Sequence, residues 1–381
     1  MSFEQLGLSA EVIAALASQG IHTPFEIQSA AIPSILAGKD ILGIAPTGSG
    51  KTAAFMCPIL EKRQHLNYKS SRTIPVLVLV PTRELAIQIN DFIQACLPKL
   101  KRPMRSMAIY GGVSINPQMK DMMGVEILVA TPGRLLDLIE QHALSIEEIE
   151  TFIIDEADKM FHLGFEEELQ RIINQIPRKC QHILFSATLN DRIKSIKEKL
   201  DAEFFELIQI EKKADSIENI VQQAFHVFPE NKGVFLRYLI KTEKLNRVLL
   251  FVSSTRTADN LVNKLTKNGI SAIALHGKKA QDVRIEALQA FKDGKVQVLI
   301  ATDLLARGIH IDNLPVVINF ELPRSPLDFV HRIGRTGRAN EIGKAYTLIT
   351  EEDFHHFKTI QKKMKKQVEV LPTKDINLHG F

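Results

Sequence analysis

Apolar residues fall along the chain in short β-branched runs. The first set is Ile41-Leu42-Gly43-Ile44, Val76-Leu77-Val78-Leu79-Val80, Val125-Glu126-Ile127-Leu128-Val129, Thr151-Phe152-Ile153-Ile154 and His182-Ile183-Leu184-Phe185. These runs are apolar almost throughout, as strands buried on both faces must be. Helical patterns lie between them, as over 84–97 and 133–140. Strands alternating with helices predict βαβ units and a parallel sheet.

The same pattern restarts downstream. Its strands are predicted at Val248-Leu249-Leu250-Phe251-Val252, Ser271-Ala272-Ile273-Ala274-Leu275, Val296-Gln297-Val298-Leu299-Ile300, Val316-Val317-Ile318-Asn319-Phe320 and Ala345-Tyr346-Thr347-Leu348-Ile349. Residues 208–219 separate the two sets, are charged around Glu211-Lys212-Lys213-Ala214-Asp215, and hold no sustained period. They read as a linker. The expected organisation is two similar α/β domains, 1–207 and 220–361, and a short basic tail over 362–381. Within that tail, Lys362-Lys363-Met364-Lys365-Lys366 reads as a solvated helix face, with auxiliary contact to a polyanion as the lesser alternative.

Composition adds limits. The 381 residues suit two domains of roughly 100–200 residues each. With 45% apolar and 24% charged residues, global disorder and a disulfide scaffold are excluded. The 48 Lys and Arg against 44 Asp and Glu give a net charge of +4, too mild to argue for nucleic acid alone. Cys57, Cys96 and Cys180 have no metal-ligand spacing, and their odd number favours a reducing compartment. No apolar run reaches the roughly 18 residues that span a bilayer, and no basic flank precedes an apolar stretch at the start. A cytoplasmic monomer with no membrane association is expected.

Chemistry enters at Ala45-Pro46-Thr47-Gly48-Ser49-Gly50-Lys51-Thr52, which follows a predicted strand. This is a P-loop in its strand–loop–helix context, with Ala45 where the strict pattern has Gly. Small residues let successive backbone N–H groups wrap phosphate oxygens. Lys51 would reach the β- and γ-phosphates of ATP, and Thr52 would hold Mg2+. The following helix offers its positive N-terminus to the anion. Asp155-Glu156-Ala157-Asp158 ends another buried strand, where open α/β sheets carry ligands. Asp155 is the natural Mg2+ carboxylate, and Glu156 can orient and polarise the attacking water. Alone, this segment reads equally well as an acidic helix start; with the P-loop, nucleotide hydrolysis is the better reading.

The ordered motifs resemble the DEAD-box family of ATP-dependent RNA helicases, in superfamily 2. Asp155-Glu156-Ala157-Asp158 spells its signature. Pro81-Thr82-Arg83-Glu84-Leu85, Gly111-Gly112, Thr131-Pro132-Gly133-Arg134, Ser186-Ala187-Thr188, Ala301-Thr302-Asp303 through Arg307-Gly308, and His331-Arg332-Ile333-Gly334-Arg335-Thr336-Gly337-Arg338 match in order. The resemblance implies two tandem RecA-like domains and RNA-stimulated ATP hydrolysis coupled to domain closure. It further implies local, non-processive unwinding of short RNA duplexes.

The resemblance also implies roles. Gln28 would read adenine with its paired donor and acceptor. Arg335 and Arg338 would be arginine fingers reaching ATP from the second domain, with Gly308 and His310 near the nucleotide. Asp158, Ser186, Thr188, Asp303, Arg307 and His331 would couple the ATP site to closure. Pro81, Thr82, Arg83, Gly111, Gly112, Thr131, Pro132, Gly133 and Arg134 would bind RNA on the first domain. Ser253, Thr255, Arg256, Gly277, Gln281, Arg284 and Thr302 would do so on the second. These are phosphate and sugar binders, and the set lacks an aromatic stacking platform, so backbone reading of RNA is expected. The family's preference for RNA over DNA rests on 2′-hydroxyls.

Three positions depart from the family pattern. Ile21 replaces an aromatic that packs on adenine, with Phe3 as the upstream aromatic that compensates. Phe25 stands where Thr or Ser is usual. His310 replaces an Asp that contacts the ribose. Two other functions fit part of the pattern. A non-catalytic ATP-gated RNA clamp is opposed by the intact Glu156, Arg335 and Arg338. A DNA-translocating relative is opposed by Gln28 and the Asp-Glu-Ala-Asp spelling.

His310 generates a test, because imidazole gains charge near pH 6.5. His310→Asp should strengthen ATP use and flatten the pH profile of RNA-stimulated hydrolysis between about pH 6 and 8. An unchanged KM, rate and profile would remove His310 from the nucleotide site.

Overall fold

Buried β-branched runs must exchange their backbone hydrogen bonds with each other, and here they do so in two sheets. The computed structural model describes residues 1–46, 48–66, 74–200, 205–210, 219–303, 314–337 and 342–381. The chain divides into two compact units, Met1–Lys212 and Lys213–Phe381. The first contains strands β1 (Asp40–Ile44), β2 (Val76–Leu79), β3 (Ser106–Ile109), β4 (Ile127–Ala130), β5 (Thr151–Ile154), β6 (Gln181–Ser186) and β7 (Phe205–Gln209). Their order is β3-β4-β2-β5-β6-β1-β7, with every pairing parallel.

The second unit repeats the plan with β8 (Ile220–His226), β9 (Val248–Val252), β10 (Ala272–Leu275), β11 (Val298–Thr302), β12 (Val316–Asn319), β13 (Gly343–Ile349) and β14 (Val370–Pro372). Its order is β10-β11-β9-β12-β13-β8-β14, again all parallel. The expected α/β class is what folds. In the first sheet, Leu42, Leu77, Leu128 and Phe152 serve the core on one face. Ile41, Val76, Ile127 and Ile153 serve it on the other. Both faces are covered, so the strands lack a polar alternation.

Two expectations change. The linker reading began at residue 208, but β7 runs to Gln209 and pairs with β1; residues 211–218 lie outside the described residues. The basic tail over 362–381 is corrected. A helix continues to Met364, and β14 then adds the last strand to the second sheet beside β8. Ile376 and Leu378 pack on the core of that unit, and Arg237 donates to the Phe381 carbonyl at 2.8 Å. The lysines of this stretch masked apolar residues that the sheet edge uses.

All three cysteines are free and buried. Burial pushes the Cys57 thiol well up, Cys96 to about 11 and Cys180 to about 12. They stay neutral thiols and belong to packing.

The edge of the first sheet at the strand N-termini is fixed by charge. Glu126, just before β4, receives Arg63 at 3.1 Å and Arg102 at 2.6 Å. Arg63 also reaches Glu150, just before β5, at 2.8 Å. The Arg63 and Glu126 side chains are nearly inaccessible, so neither charge can be rehydrated in place. Removing one partner of such a group strands the others. Glu126→Ala should therefore lower the unfolding free energy of the first unit by about 3–5 kcal/mol in urea titration. A loss below about 1 kcal/mol would mark the network as no stronger than a surface pair.

Candidate functional site

The turn after β1 carries the phosphate loop, and Gly50 ends it in the left-handed region (φ 87°) as N-cap of the helix Lys51–Arg63. A Cβ on Gly50 would lie 2.4 Å from Gln28 Nε2, so glycine is needed for conformation and for space. Lys51 folds back on its own loop, donating from Nζ to the carbonyls of Ala45 at 3.0 Å and Pro46 at 3.2 Å. Ser49 Oγ also donates to the Pro46 carbonyl, at 2.8 Å. Gly48 lies within this arrangement in sequence and Thr52 follows it; Thr47 lies outside the described residues.

Gln28 is 1% exposed and bonded at both ends. Its Oε1 accepts from the Phe25 N–H at 3.0 Å, and its Nε2 donates to the Gly50 carbonyl at 3.0 Å. The residue expected to read adenine is thus also a brace between the segment before it and the phosphate loop. Phe25 is itself exposed beside Gly50. Phe3 lies in the core. Its ring is 3% exposed, inside a cluster with Leu6, Leu16, Ile32 and Cys57, and Ile21 packs on that cluster. Phe3 is the N-cap of the short turn Glu4–Leu6, and its ring packs inward.

Asp155 follows β5, and its Oδ1 accepts the Glu156 N–H at 2.8 Å. Glu156 is a non-glycine residue in the left-handed region (φ 53°). Such a conformation costs on the order of 1–3 kcal/mol and gathers at functional sites. The strain turns the chain into the helix Ala157–His162. Both acids are buried. Glu156 Oε1 receives the Lys159 ammonium at 2.7 Å. Asp158 Oδ2 accepts from Thr188 Oγ1 at 3.2 Å. Ser186 Oγ donates to the Thr188 carbonyl at 2.9 Å, and the Ser186 carbonyl accepts from Ala45 N–H at 3.0 Å. The phosphate loop, the Ser186 turn and Asp158 are therefore one hydrogen-bonded unit. Asp155 and the Thr52 hydroxyl are hard oxygen donors, which fit a magnesium ion that keeps most of its waters.

The groups expected to meet RNA on the first unit surround one loop. Thr82 caps the helix Arg83–Cys96 by accepting the Leu85 N–H at 3.3 Å. Gly112 has φ 79°, and a Cβ there would lie 2.1 Å from Arg83 Nη1, so the guanidinium rests on bare backbone. Arg134 is 7% exposed and donates to the Val113 carbonyl at 2.7 Å. Its Nη1 has no hydrogen-bond partner among the described residues. Thr131 is buried and Pro132 opens the helix Pro132–Glu140 with Gly133. Pro81 lies just before Thr82, buried, and Gly111 precedes Gly112 in the same loop.

In the second unit, Ser253 follows β9 and Thr302 ends β11, and Thr302 pairs in register with Val252. Both lie at the same edge of the sheet. Ser253 and Arg256 are exposed, Thr255 opens the helix Thr255–Thr266, and Gly277 is exposed after β10. Gln281 begins the helix Gln281–Lys292, in which Arg284 is buried. His331 lies in the helix Pro326–Ile333. Arg335 is 5% exposed, with its carbonyl accepting from Leu314 N–H at 3.2 Å. Arg307, Gly308, His310 and Arg338 lie outside the described residues.

Sequence reasoning missed two organisers. Arg332, 2% exposed, grips Asp303 with Nε and Nη2, the latter at 2.7 Å. It also donates to Asn319 Oδ1 at 3.2 Å and to the Glu321 carbonyl at 2.6 Å, and lies 4.9 Å from the Phe251 ring centre. The signal was its place between His331 and Arg335. Lys159 was signalled by spacing: it stands three residues after Glu156, on a helix.

Comparisons match this arrangement. The DEAD/DEAH box helicase pattern matches residues 25–196, and the helicase conserved C-terminal domain matches 231–340. The chain is 37% identical to the DEAD-box ATP-dependent RNA helicase CshA of Geobacillus kaustophilus, over all of this chain and 80% of that protein. Saccharomyces cerevisiae Dbp5 bound to RNA and ADP BeF3 is 27% identical with a TM-score of 0.81, covering 98% of this chain and 96% of its own. A DEAD box protein from Methanococcus jannaschii is 34% identical with a TM-score of 0.55, covering 97% and 99%. No described helix is long and apolar enough to cross a membrane.

The brace at Gln28 carries a test that needs no nucleotide. Gln28→Ala leaves the Phe25 N–H without its partner and the Gly50 carbonyl with only the Ala54 N–H, and should cost about 1–3 kcal/mol in denaturant unfolding of the nucleotide-free chain. Unchanged stability would reduce Gln28 to a ligand-only role.

Proposed function

The chain belongs to the DEAD/DEAH box helicase family, and we propose that it is an RNA-stimulated ATPase that opens short RNA duplexes locally. The observation that carries this reading is the hydrogen-bonded path from Ala45 through Ser186 and Thr188 to Asp158. It ties the phosphate-binding loop to the segment that holds the water-orienting carboxylate.

In this mechanism ATP enters over the phosphate loop. Lys51 exchanges the Ala45 and Pro46 carbonyls for the β- and γ-phosphates. Its ammonium is already desolvated, so the exchange replaces one set of acceptors with a more highly charged one. Thr52 and Asp155 would hold Mg2+, which would neutralise phosphate charge when bound. Glu156 orients a water toward the γ-phosphorus. The water oxygen forms a bond to phosphorus, the bond to the bridging oxygen breaks, and the water proton passes to the Glu156 carboxylate. ADP and phosphate are the products. Arg335 and Arg338 stabilise charge on the transferring group, an effect on the order of 10³–10⁵ in rate.

RNA binds through its phosphates and sugars to the Arg83, Gly112 and Arg134 loop and to Ser253, Arg256 and Thr302. ATP and RNA together close the two units, and the bound strand loses its partner without processive travel. The chain acts as a cytoplasmic monomer.

Glu156→Gln should retain ATP and RNA binding while phosphate release falls by about 10²–10⁴, the usual share of a positioned base. RNA should stimulate the parent, and DNA of the same sequence should not. Parent-like turnover in Glu156→Gln would overturn the assignment.

A further inference from the structure

We propose that Lys159 is a positioning residue that holds Glu156 out of use until RNA is bound, and so suppresses hydrolysis without RNA. The inference rests on the reading of Glu156 as the group that orients water. Lys159 Nζ donates to Glu156 Oε1 at 2.7 Å, with side-chain exposures of 18% and 6%. Surface pairs at this spacing are weak because water competes for both charges. Here the carboxylate is nearly enclosed, so competition by water is small and the contact is correspondingly stronger.

The contact occupies the chemistry that Glu156 must supply. An attacking water needs a free lone pair on a carboxylate oxygen, directed at its O–H. A carboxylate has about four such sites on two oxygens; by holding Oε1 the ammonium fixes the orientation of the whole group, and with it the direction of the rest. Glu156 has little freedom to evade it, because its left-handed backbone is fixed by Asp155 Oδ1. The tether is also short, since Glu156 and Lys159 bracket the first turn of the helix Ala157–His162.

Release has a route on the same turn. Asp158 lies between the two residues in sequence. Its Oδ1 accepts the Lys159 N–H at 3.1 Å, and its Oδ2 accepts from Thr188. Any shift of the turn 186–188 thus pulls on the residue adjacent to Lys159. The signal that moves the Ser186 turn therefore also parts the ammonium from the carboxylate. Lys159 follows the Asp-Glu-Ala-Asp spelling and is not part of it.

The test uses the full chain with Lys159→Gln, Lys159→Arg and Glu156→Gln. Lys159→Gln should raise RNA-free phosphate release about fivefold, equivalent to about 1 kcal/mol. Its rate at saturating RNA should stay within about twofold of the parent, and Lys159→Arg should restore the parent ratio. A structural role alone would move both rates together. In 15N-lysine-labelled protein without nucleotide, the Lys159 ammonium should give an exchange-protected signal that Glu156→Gln removes. An unchanged RNA dependence in Lys159→Gln, or a signal that survives in Glu156→Gln, overturns the proposal. If Glu156→Gln hydrolyses ATP like the parent, the reading of Glu156 itself fails instead.

Discussion

The parallel pairing of β1 with β6 is the constraint on which the site depends. Ile44 and Ser186 are register partners at the ends of those strands, and the next backbone bond runs from Ala45 N–H to the Ser186 carbonyl. Parallel strands bring all their C-terminal ends to one edge. A phosphate loop after β1, an acidic turn after β5 and a hydroxyl turn after β6 thereby become neighbours without long-range design. A one-residue slip of β1 would exchange its two faces and break both core clusters. The register that protects the core is the same one that aligns the chemistry.

The two edges of the first sheet use charge in opposite ways. At the strand N-termini, Arg63 and Arg102 converge on Glu126. Nothing in the proposed cycle needs those groups, and their desolvation favours a fixed arrangement. At the C-terminal edge, Lys51 is held by backbone carbonyls and Lys159 by the Glu156 carboxylate. Those partners are ones that a phosphate or a water can replace.

Legibility followed apolar content more than place in the sheet, since the edge strand β10 also stood out as the run 271–275. β2, β4, β5 and β9 lie inside their sheets, are covered on both faces and stood out as apolar runs. β3, β7 and β14 are edge strands with one free side, and β8 alternates with polar residues such as Gln222 and Gln223. Their pattern is weaker, and periodicity alone passed over them. The same logic hid the fold of 362–381, where lysines outnumber the few apolar residues that dock. Motif chemistry was more legible, because the phosphate loop and the acidic turn need fixed residue types. What spacing could not reveal was partner choice: that Gln28 braces Gly50, that Phe3 turns inward, and that Arg134 grips Val113.

Those partner choices share a consequence. Lys51, Arg83, Arg134 and Glu156 are the groups assigned to ATP or RNA, and each already contacts the protein's own chain. Binding a ligand is then an exchange of partners, and even a hydrogen bond to a charged group yields only about 1.5–3 kcal/mol net. No single exchange commits the site. Several must occur together, and the Ser186 turn links the loop that meets phosphate to the segment that carries Glu156. Weak individual gains joined by a stiff hydrogen-bonded path favour concerted occupancy by both ligands. That is the physical basis on which hydrolysis can be made to wait for RNA.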